Sequence, residues 1–319
     1  MLSDAVRFLL EQDDFTIIAH VSPDGDTLGS CLALYLALTR AGKQARLVCE
    51  DPVPQIYRFL PSAGDFLPAG SAPAAKTAVA VDCADLARTG AAERLFRQAQ
   101  HTLNIDHHST NGSYGEVNYV EPVAAAGELV YRVLREAGLP VTAEIAACLF
   151  VALSTDTGNF SYSNTTPDTF RISADLLDAG IDLPYLNRMV FRTVPLHKTR
   201  LLALAVMKTE LYENGKIAMT MLGTDDFRSC GAPEEDSEGI IDVLRDIDTV
   251  EIAVFLRESA DGKVKVSLRG KSYADVSFIA VRHGGGGHRL AAGCTMTGPM
   301  EEARDTILGD ARSCLNGEA

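Results

Sequence analysis

Phe15-Thr16-Ile17-Ile18-Ala19-His20-Val21-Ser22-Pro23-Asp24-Gly25-Asp26 decides the fold of the N-terminal half of this chain. Phe15 to Ala19 is a β-rich apolar run, Pro23 and Gly25 mark a sharp turn, and an apolar helical pattern from Leu28 to Thr39 follows, stopped by Gly42. Working outward, Ala45 to Cys49, Thr77 to Val81 and Thr102 to Ile105 read as further strands. Helical patterns occupy Gly127 to Glu136, Ala143 to Ser154 and Thr169 to Asp178, each closed near a Gly or a Pro. Short strands alternating with helices are the signature of an α/β fold, a mostly parallel sheet flanked by helices. The sheet is expected in the first 120 residues.

Beyond it, Pro195 opens a helical stretch through Val206, and Lys216 to Leu222, Val250 to Arg257 and Lys263 to Arg269 read as strands of a smaller α+β unit. We therefore expect a domain over residues 1–190, a linker helix over 191–205 and a second domain over 206–319. Glu234 to Asp248 carries seven acids against one Arg, the composition of a solvated helix face, and takes no part in the chemistry below. From Phe255 to Leu290 seven basic residues (Arg257, Lys263, Lys265, Arg269, Lys271, Arg282, Arg289) face three acids, 7 − 3 = +4. A basic stretch in an acidic chain fits anion binding, and it also fits an exposed basic hairpin.

The 319 residues carry 29 Lys and Arg and 43 Asp and Glu, a formal net charge of −14. Such a charge argues against coating duplex DNA or an anionic membrane. The seven cysteines are scattered and never in C-x-x-C spacing, so neither a disulfide framework nor a zinc-thiolate site is indicated, and a reducing cytoplasm fits best. The N-terminus reads as an amphipathic helix, with no basic segment followed by an apolar one. The longest apolar run, Ile145 to Leu153, is too short to cross a bilayer.

Three charged clusters follow three strands. His20, Asp24 and Asp26 lie on the strand-to-helix turn; Asp82 follows Thr77 to Val81; Asp106, His107 and His108 follow Thr102 to Ile105. In a parallel sheet ligands bind beyond the carboxyl ends of strands, so His20, Asp82 and His107 should point into one crevice. Asp26 could simply cap the helix, and Asp82 could be a turn residue, but capping leaves His20 and Asp24 without a role. Gly29 is read as letting the helix approach the sheet. Asp156, at the end of the apolar Ile145 to Leu153 stretch, can be aimed back at the same place, or can close an Asx-turn. His20, Asp24, Asp26, Asp82, His107 and Asp156 make two imidazoles and four carboxylates with no thiolate. That set suits Mn, Mg, Fe or Co and exceeds what one ion needs, so two divalent ions are expected. A pair of ions about 3.5 to 4 Å apart promotes in-line attack at phosphorus, which makes phosphoester hydrolysis the natural reaction. No G-x-S-x-G elbow and no G-x-x-x-x-G-K-[ST] loop is present.

In the second half, His283-Gly284-Gly285-Gly286-Gly287-His288-Arg289 offers bare backbone N–H groups that can nest a phosphate, with His288, Arg289 and Arg269 beside them. Four glycines can equally form a plain flexible loop.

His20-x-x-Pro-Asp-Gly-Asp26, Asp82, the Asp106-His107-His108 triplet and Asp156 resemble the four motifs of the DHH phosphoesterase superfamily, and Gly-Gly-Gly-Gly-His-x-x-Ala-Ala-Gly resembles the loop of its DHHA1 subfamily. In length and in lacking extra modules the chain is similar to the bacterial nano-RNases, which trim oligoribonucleotides and dephosphorylate 3′-phosphoadenosine 5′-phosphate. The resemblance implies that His20, Asp24 and Asp82 hold one ion, usually manganese, and Asp26, Asp82, His107 and Asp156 the other. It implies that His108 contacts the scissile phosphate, that Asp106 orients a histidine, and that Arg269, Gly285, Gly286, Gly287 and His288 hold the nucleotide's phosphate. Two departures from the family pattern stand out: Ala124-Ala125-Ala126-Gly127-Glu128 replaces a more hydroxyl-rich stretch, and Asp242 stands where the pattern has Asn.

The expected activity is thus hydrolysis of RNAs of two to five nucleotides to mononucleotides, and of the adenosine bisphosphate to AMP and phosphate. The two domains would close over a short single strand and leave no room for a duplex. Alternatives are a phosphodiesterase acting on linear or cyclic dinucleotides and a non-catalytic nucleotide sensor. Pyrophosphate hydrolysis fits less well, because the second domain resembles a different one. An edge-to-edge homodimer is common for open sheets of this kind.

Overall fold

A computed structural model describes residues 2–259 and 261–316, which form two compact units divided between Thr193 and Val194. The first runs α1 (Leu2–Glu11), β1 (Phe15–Ile18), α2 (Gly25–Arg40), β2 (Ala45–Cys49), β3 (Phe66–Pro68), β4 (Thr77–Val81), α3 (Glu93–Gln98), β5 (His101–Asp106), β6 (Val117–Val120), α4 (Ala126–Glu136), α5 (Ala143–Asp156), α6 (Pro167–Asp178) and α7 (Leu183–Asn187). All six strands pair in parallel, in the order β3-β2-β1-β4-β5-β6. Both faces are buried: Ile17, Val79, Val81, Leu103 and Ile105 pack on one side, Ile18, Val48, Ala78 and Ala80 on the other. Strands covered on both faces read as continuous apolar runs, which is why they stand out in the sequence. The order reverses between β1 and β4, the switch point where open α/β sheets leave a crevice for ligands.

The expected mostly parallel sheet with a second α+β unit is what the chain forms. Two short edge strands, β3 and β6, escape the pattern because three or four partly exposed residues carry no period. The role read for Gly29 needs correction. Its Cβ would strike the Cys148 carbonyl and lie 3.0 Å from the Ala152 side chain, so it lets α2 approach α5 rather than the sheet. Gly127 at the start of α4 meets the same Ala152, where a Cβ would lie 2.7 Å from that methyl. The three helices thus meet at backbone distance, and α2 is buried over nearly its whole length. Gly29→Ala is therefore expected to destabilise by about 1 to 3 kcal/mol, because the obstacle is backbone and cannot rotate away. Urea unfolding of the metal-free protein checks this, and an unchanged midpoint would refute it.

The second unit runs α8 (Leu196–Met207), β7 (Glu210–Tyr212), β8 (Ile217–Leu222), α9 (Thr224–Cys230), α10 (Ile240–Arg245), β9 (Ile252–Glu258), β10 (Val264–Gly270), α11 (Ser277–Arg282), β11 (Gly286–His288), β12 (Ala291–Met296) and α12 (Met300–Leu315). Its mixed sheet has the order β11-β12-β10-β9-β8-β7, with helices and cores on both faces. Helix α8 occupies most of the stretch read as a linker, and its Leu201 and Ala205 belong to a core of this unit. The acidic stretch is not one solvated helix face. It forms a 3-10 turn at Glu234–Ser237 and the short α10, with Asp236 buried against His197. Among the described residues no helix is long and apolar enough to cross a membrane.

Candidate metal centre

Each site residue sits just past a strand or at a helix end. His20 follows β1, and its Nδ1 donates to the Val21 carbonyl at 2.7 Å, which leaves Nε2 3.7 Å from Asp24 Oδ1 and 3.5 Å from Asp82 Oδ2. His107 follows β5 in the same manner. Its Nδ1 donates to the Val123 carbonyl at 3.1 Å, and Nε2 faces Asp82 Oδ1 at 3.3 Å, Asp156 Oδ2 at 3.7 Å and Asp26 Oδ2 at 3.8 Å. Anchoring one ring nitrogen on a carbonyl fixes the tautomer and presents the other as a ligand.

The helix cap is Asp24, not Asp26. Asp24 Oδ1 accepts from the amides of Asp26 and Thr27, both at 3.1 Å, while its carboxylate also faces His20. Asp26 is buried within the first turn of α2 and accepts from Ser30 Oγ and from the amides of Ala126 and Gly127 at 2.6 and 3.0 Å. The start of α4, with its free amides and positive dipole end, holds that carboxylate in place. The close approach at Gly29 and Gly127 is what brings it within reach. The alanine-rich departure at 124–128 therefore costs no contact here, because backbone supplies the donors.

Asp82 occupies the centre. It follows β4 at the switch point with φ of 60°, a left-handed conformation that is uncommon outside Gly, Asn and Asp and recurs at functional sites. Its Oδ2 faces the His20 group and its Oδ1 the His107 group; Oδ1 is buried and accepts no hydrogen bond. Two candidate ligand groups result, His20 with Asp24 and Asp82, and Asp26 with His107 and Asp156, and a third overlaps them, Asp82 with His107 and His108, the donor atoms of each lying within 4.8 Å of one another. Asp156 reaches the second group from the last residue of α5, and Asn164 Nδ2 bonds its carbonyl at 3.0 Å. Sequence reasoning thus placed six residues that the fold gathers at one spot.

The electrostatics describe a site short of positive charge. Burial alone would lower the His20 pKa, but Asp24 and Asp82 overcome it and raise it to about 10; burial likewise would lower the His107 pKa, but Asp82 and Asp26 overcome it and raise it to about 10. Burial pushes Asp26 well above the carboxylate range with help from Asp82, and lifts Asp156 to about 6 against the pull of His107. His20, His107, Asp26 and Asp156 thus hold protons more tightly than usual, and divalent cations would displace them. Oxygen and imidazole donors fit hard or borderline ions. The neighbouring thiols do not compete: burial holds Cys83 protonated, and Cys49 Sγ bonds the His20 carbonyl at 3.5 Å.

His108 stands beside Asp82 and His107, its Nδ1 3.7 Å from Asp82 Oδ1 and its ring centroid 4.5 Å from that of His107. Its Nδ1 donates to Asp106 Oδ1 at 2.8 Å, and Asn111 Nδ2 donates to the other Asp106 oxygen at 2.5 Å. The Asp106 bond raises the His108 pKa against the effect of burial, while burial of Asp106 is outweighed by His108 and Asn111, which keep it ionised. Asn111 is in turn fixed by Asn104 Nδ2 at 2.9 Å and by donating to the Cys83 carbonyl at 3.0 Å. Both asparagines were missed from sequence. A buried polar residue inside the run Thr102 to Ile105 was the one available signal for Asn104; Asn111 had none.

In the second unit, Arg269 of β10 and His288 of β11 each lie opposite Ala291, on the two strands that flank β12. Arg269 Nε is 3.4 Å from Asp242, which also accepts from Arg245 at 2.8 Å. The glycine run is not a bare loop. The Gly284 and Gly285 amides donate to the carbonyls of Val281 and Ala280 in the last turn of α11, and Gly286 to His288 form the edge strand β11. What Gly287 supplies is conformation: φ of 145°, with a Cβ that would come 2.5 Å from the Ala292 Cα.

The DHH family, N-terminal domain, matches residues 14–153 and the DHHA1 domain matches residues 214–317. The chain is 38% identical over 304 residues to the bifunctional oligoribonuclease and PAP phosphatase NrnA of Thermus thermophilus, covering 94% of this chain and 89% of that one. It is 23% identical to the Bacillus subtilis protein of the same name, with 97% of each covered. Among solved structures, an exopolyphosphatase-related protein from Bacteroides fragilis superposes with a TM-score of 0.88 at 26% identity, covering 97% of this chain and 94% of that one.

Proposed function

The chain belongs to the DHH phosphoesterase family, with a DHHA1 domain in its second unit, and from that membership we propose that it is a metal-dependent hydrolase of short oligoribonucleotides that also removes the 3′-phosphate of 3′-phosphoadenosine 5′-phosphate. The observation that carries the reading is Asp82, a buried carboxylate with one oxygen turned to His20 and the other to His107, between two candidate donor groups. His20, Asp24 and Asp82 would hold one divalent ion and Asp26, Asp82, His107 and Asp156 a second, manganese being the ion implied by the family. Two such ions, when bound, polarise the phosphoryl group and activate water for in-line attack.

The protein's own groups do the rest. Val21 and Val123 fix the imidazoles, and the start of α4 fixes Asp26, so the donors need no rearrangement to act. Asp106 favours the protonated form of His108, with Nε2 directed away from their mutual bond. His108 can then donate a hydrogen bond to a non-bridging phosphate oxygen, or its proton to the departing oxygen. In the second unit Arg269, His288 and the glycines Gly285, Gly286 and Gly287 would bind a phosphate of the substrate, and Asp242 would orient the Arg269 guanidinium. All seven cysteines are free thiols, six of them buried, as a reducing cytoplasm would keep them.

The test is turnover by the Mn-loaded protein of four substrates separately: an RNA trinucleotide, 3′-phosphoadenosine 5′-phosphate, a cyclic dinucleotide and pyrophosphate. Hydrolysis of the first two is expected. Preference for the cyclic dinucleotide would replace this reading with a messenger phosphodiesterase, and tight nucleotide binding without turnover would make the protein a sensor.

A further inference from the structure

The sheet face that carries Arg269 and His288 continues beyond them. Along β10, Lys265, Ser267 and Arg269 alternate onto one face, and their partners on β12 are Thr295, Gly293 and Ala291. On β9 the residue opposite Lys265 is Arg257. On this face Ala253 and Phe255 of β9 are buried in a core with Ile240, Ile241 and Leu244 of α10, while Lys265, Thr295 and all of β11 are exposed. What remains uncovered is a trough with a floor of Ser267, Gly293 and Gly286, Arg269 and His288 at one end, and Arg257 and Lys265 at the other. A cavity of about 350 Å³ occupies the second end, lined by Arg257, Lys265, Ser267, Gly285, Gly293 and Thr295 and by no acidic residue.

Two features of that end call for an anion. Arg257 and Lys265 are directly opposed on antiparallel strands, an arrangement of like charges that costs stability unless something neutralises it. Arg257 has Glu234 3.1 Å away, but Lys265 makes no ion pair among the described residues. The two ends are also too far apart for one phosphate: four residues of strand separate Lys265 from Arg269, roughly 13 Å at about 3.3 Å per residue. A neighbouring cavity, which shares Arg257 and Ser267 with the first and adds Arg269, is different, since Glu234, Glu235, Glu238 and Asp242 line it; Lys265 lies outside that acidic lining.

We propose that Arg257 and Lys265, with the hydroxyls of Ser267 and Thr295, form a second phosphate subsite that engages the additional backbone phosphate of an oligoribonucleotide and sets the preference for 5′-phosphorylated chains of three or more nucleotides. The proposal rests on the hydrolase reading above. An adenosine bisphosphate has two phosphates, one for the reacting centre and one for Arg269 and His288, and none left for this end. A 5′-phosphorylated trinucleotide has three.

The experiment compares the Mn-loaded wild type with Lys265→Ala, Lys265→Glu and Lys265→Arg, using a 5′-phosphorylated trinucleotide and the adenosine bisphosphate. The ratio of kcat/KM for trinucleotide over bisphosphate is expected to fall about tenfold in Lys265→Ala, through KM, to fall further in Lys265→Glu, and to recover in Lys265→Arg. Binding of a labelled trinucleotide, followed by fluorescence anisotropy in Ca²⁺, should lose about 0.7 from the slope of log affinity against log salt, the loss of one phosphate contact. An unchanged ratio with an unchanged salt slope overturns the subsite, as does an equal loss on both substrates. If the wild type hydrolyses neither substrate the hydrolase reading fails, and the anisotropy series alone still decides whether Lys265 contacts a phosphate.

Discussion

Asp82→Asn is expected to lower kcat/KM on both substrates by on the order of 10³-fold or more, a loss of about 4 kcal/mol in transition-state stabilisation. The substitution isolates charge from shape. Asn is among the few residues that tolerate a left-handed backbone, so the φ of 60° at position 82 remains accessible. The amide would keep one oxygen but could not serve both donor groups as an anion. Manganese content measured on the purified protein should drop from two per chain, while the urea midpoint of the metal-free variant stays within about 1 kcal/mol of wild type, since no core volume is lost. Full activity with two bound ions would remove Asp82 from the centre of the mechanism.

The same residue shows what the sequence made legible. Asp82, His20 and His107 were placed together by one rule, that charged residues following parallel strands converge at the carboxyl edge, and strands buried on both faces are unmistakable as apolar runs. The rule says nothing about what holds those residues. The carbonyls of Val21 and Val123 and the amides of Ala126 and Gly127 are backbone groups, available at any residue and so invisible in a list of side chains. Gly29 was read as contacting the sheet because local sequence cannot tell which neighbour a small residue admits. Only the packing of α2 on α5, more than a hundred residues on, decides it. The acidic stretch from Glu234 was read by composition, yet Asp236 is buried on His197 and Asp242 pairs with Arg245 and Arg269, three basic partners remote in sequence or hidden by the sum of charges.

The glycine run fails in an instructive way. Four glycines suggest free amides, but an amide is free only if no carbonyl lies within reach, and the end of α11 supplies two. Absence of Cβ is then the property that matters, since β11 lies so close to β12 that Gly285 and Gly287 have no space for a side chain. The same closeness leaves the trough floor flat enough for a phosphate chain.

Removing the Asp106 carboxylate tests the second half of the chemistry. Asp106→Asn should lower kcat by about 10²-fold or more while both manganese ions remain, because Asp106 faces His108 and Asn111 rather than either donor group. Its pH dependence gives the sharper signature. In the wild type the Asp106 bond raises the His108 pKa, so the protonated imidazole persists to higher pH and activity declines only when that proton is lost on the alkaline side. Without the carboxylate the His108 pKa falls, and the alkaline limb of the kcat profile should move to lower pH. His108→Gln, with no proton to lose, should abolish that limb altogether at a comparably reduced rate. A wild-type alkaline limb in Asp106→Asn would mean that another group supplies the proton, and loss of manganese in that variant would place Asp106 among the ligands instead of behind His108.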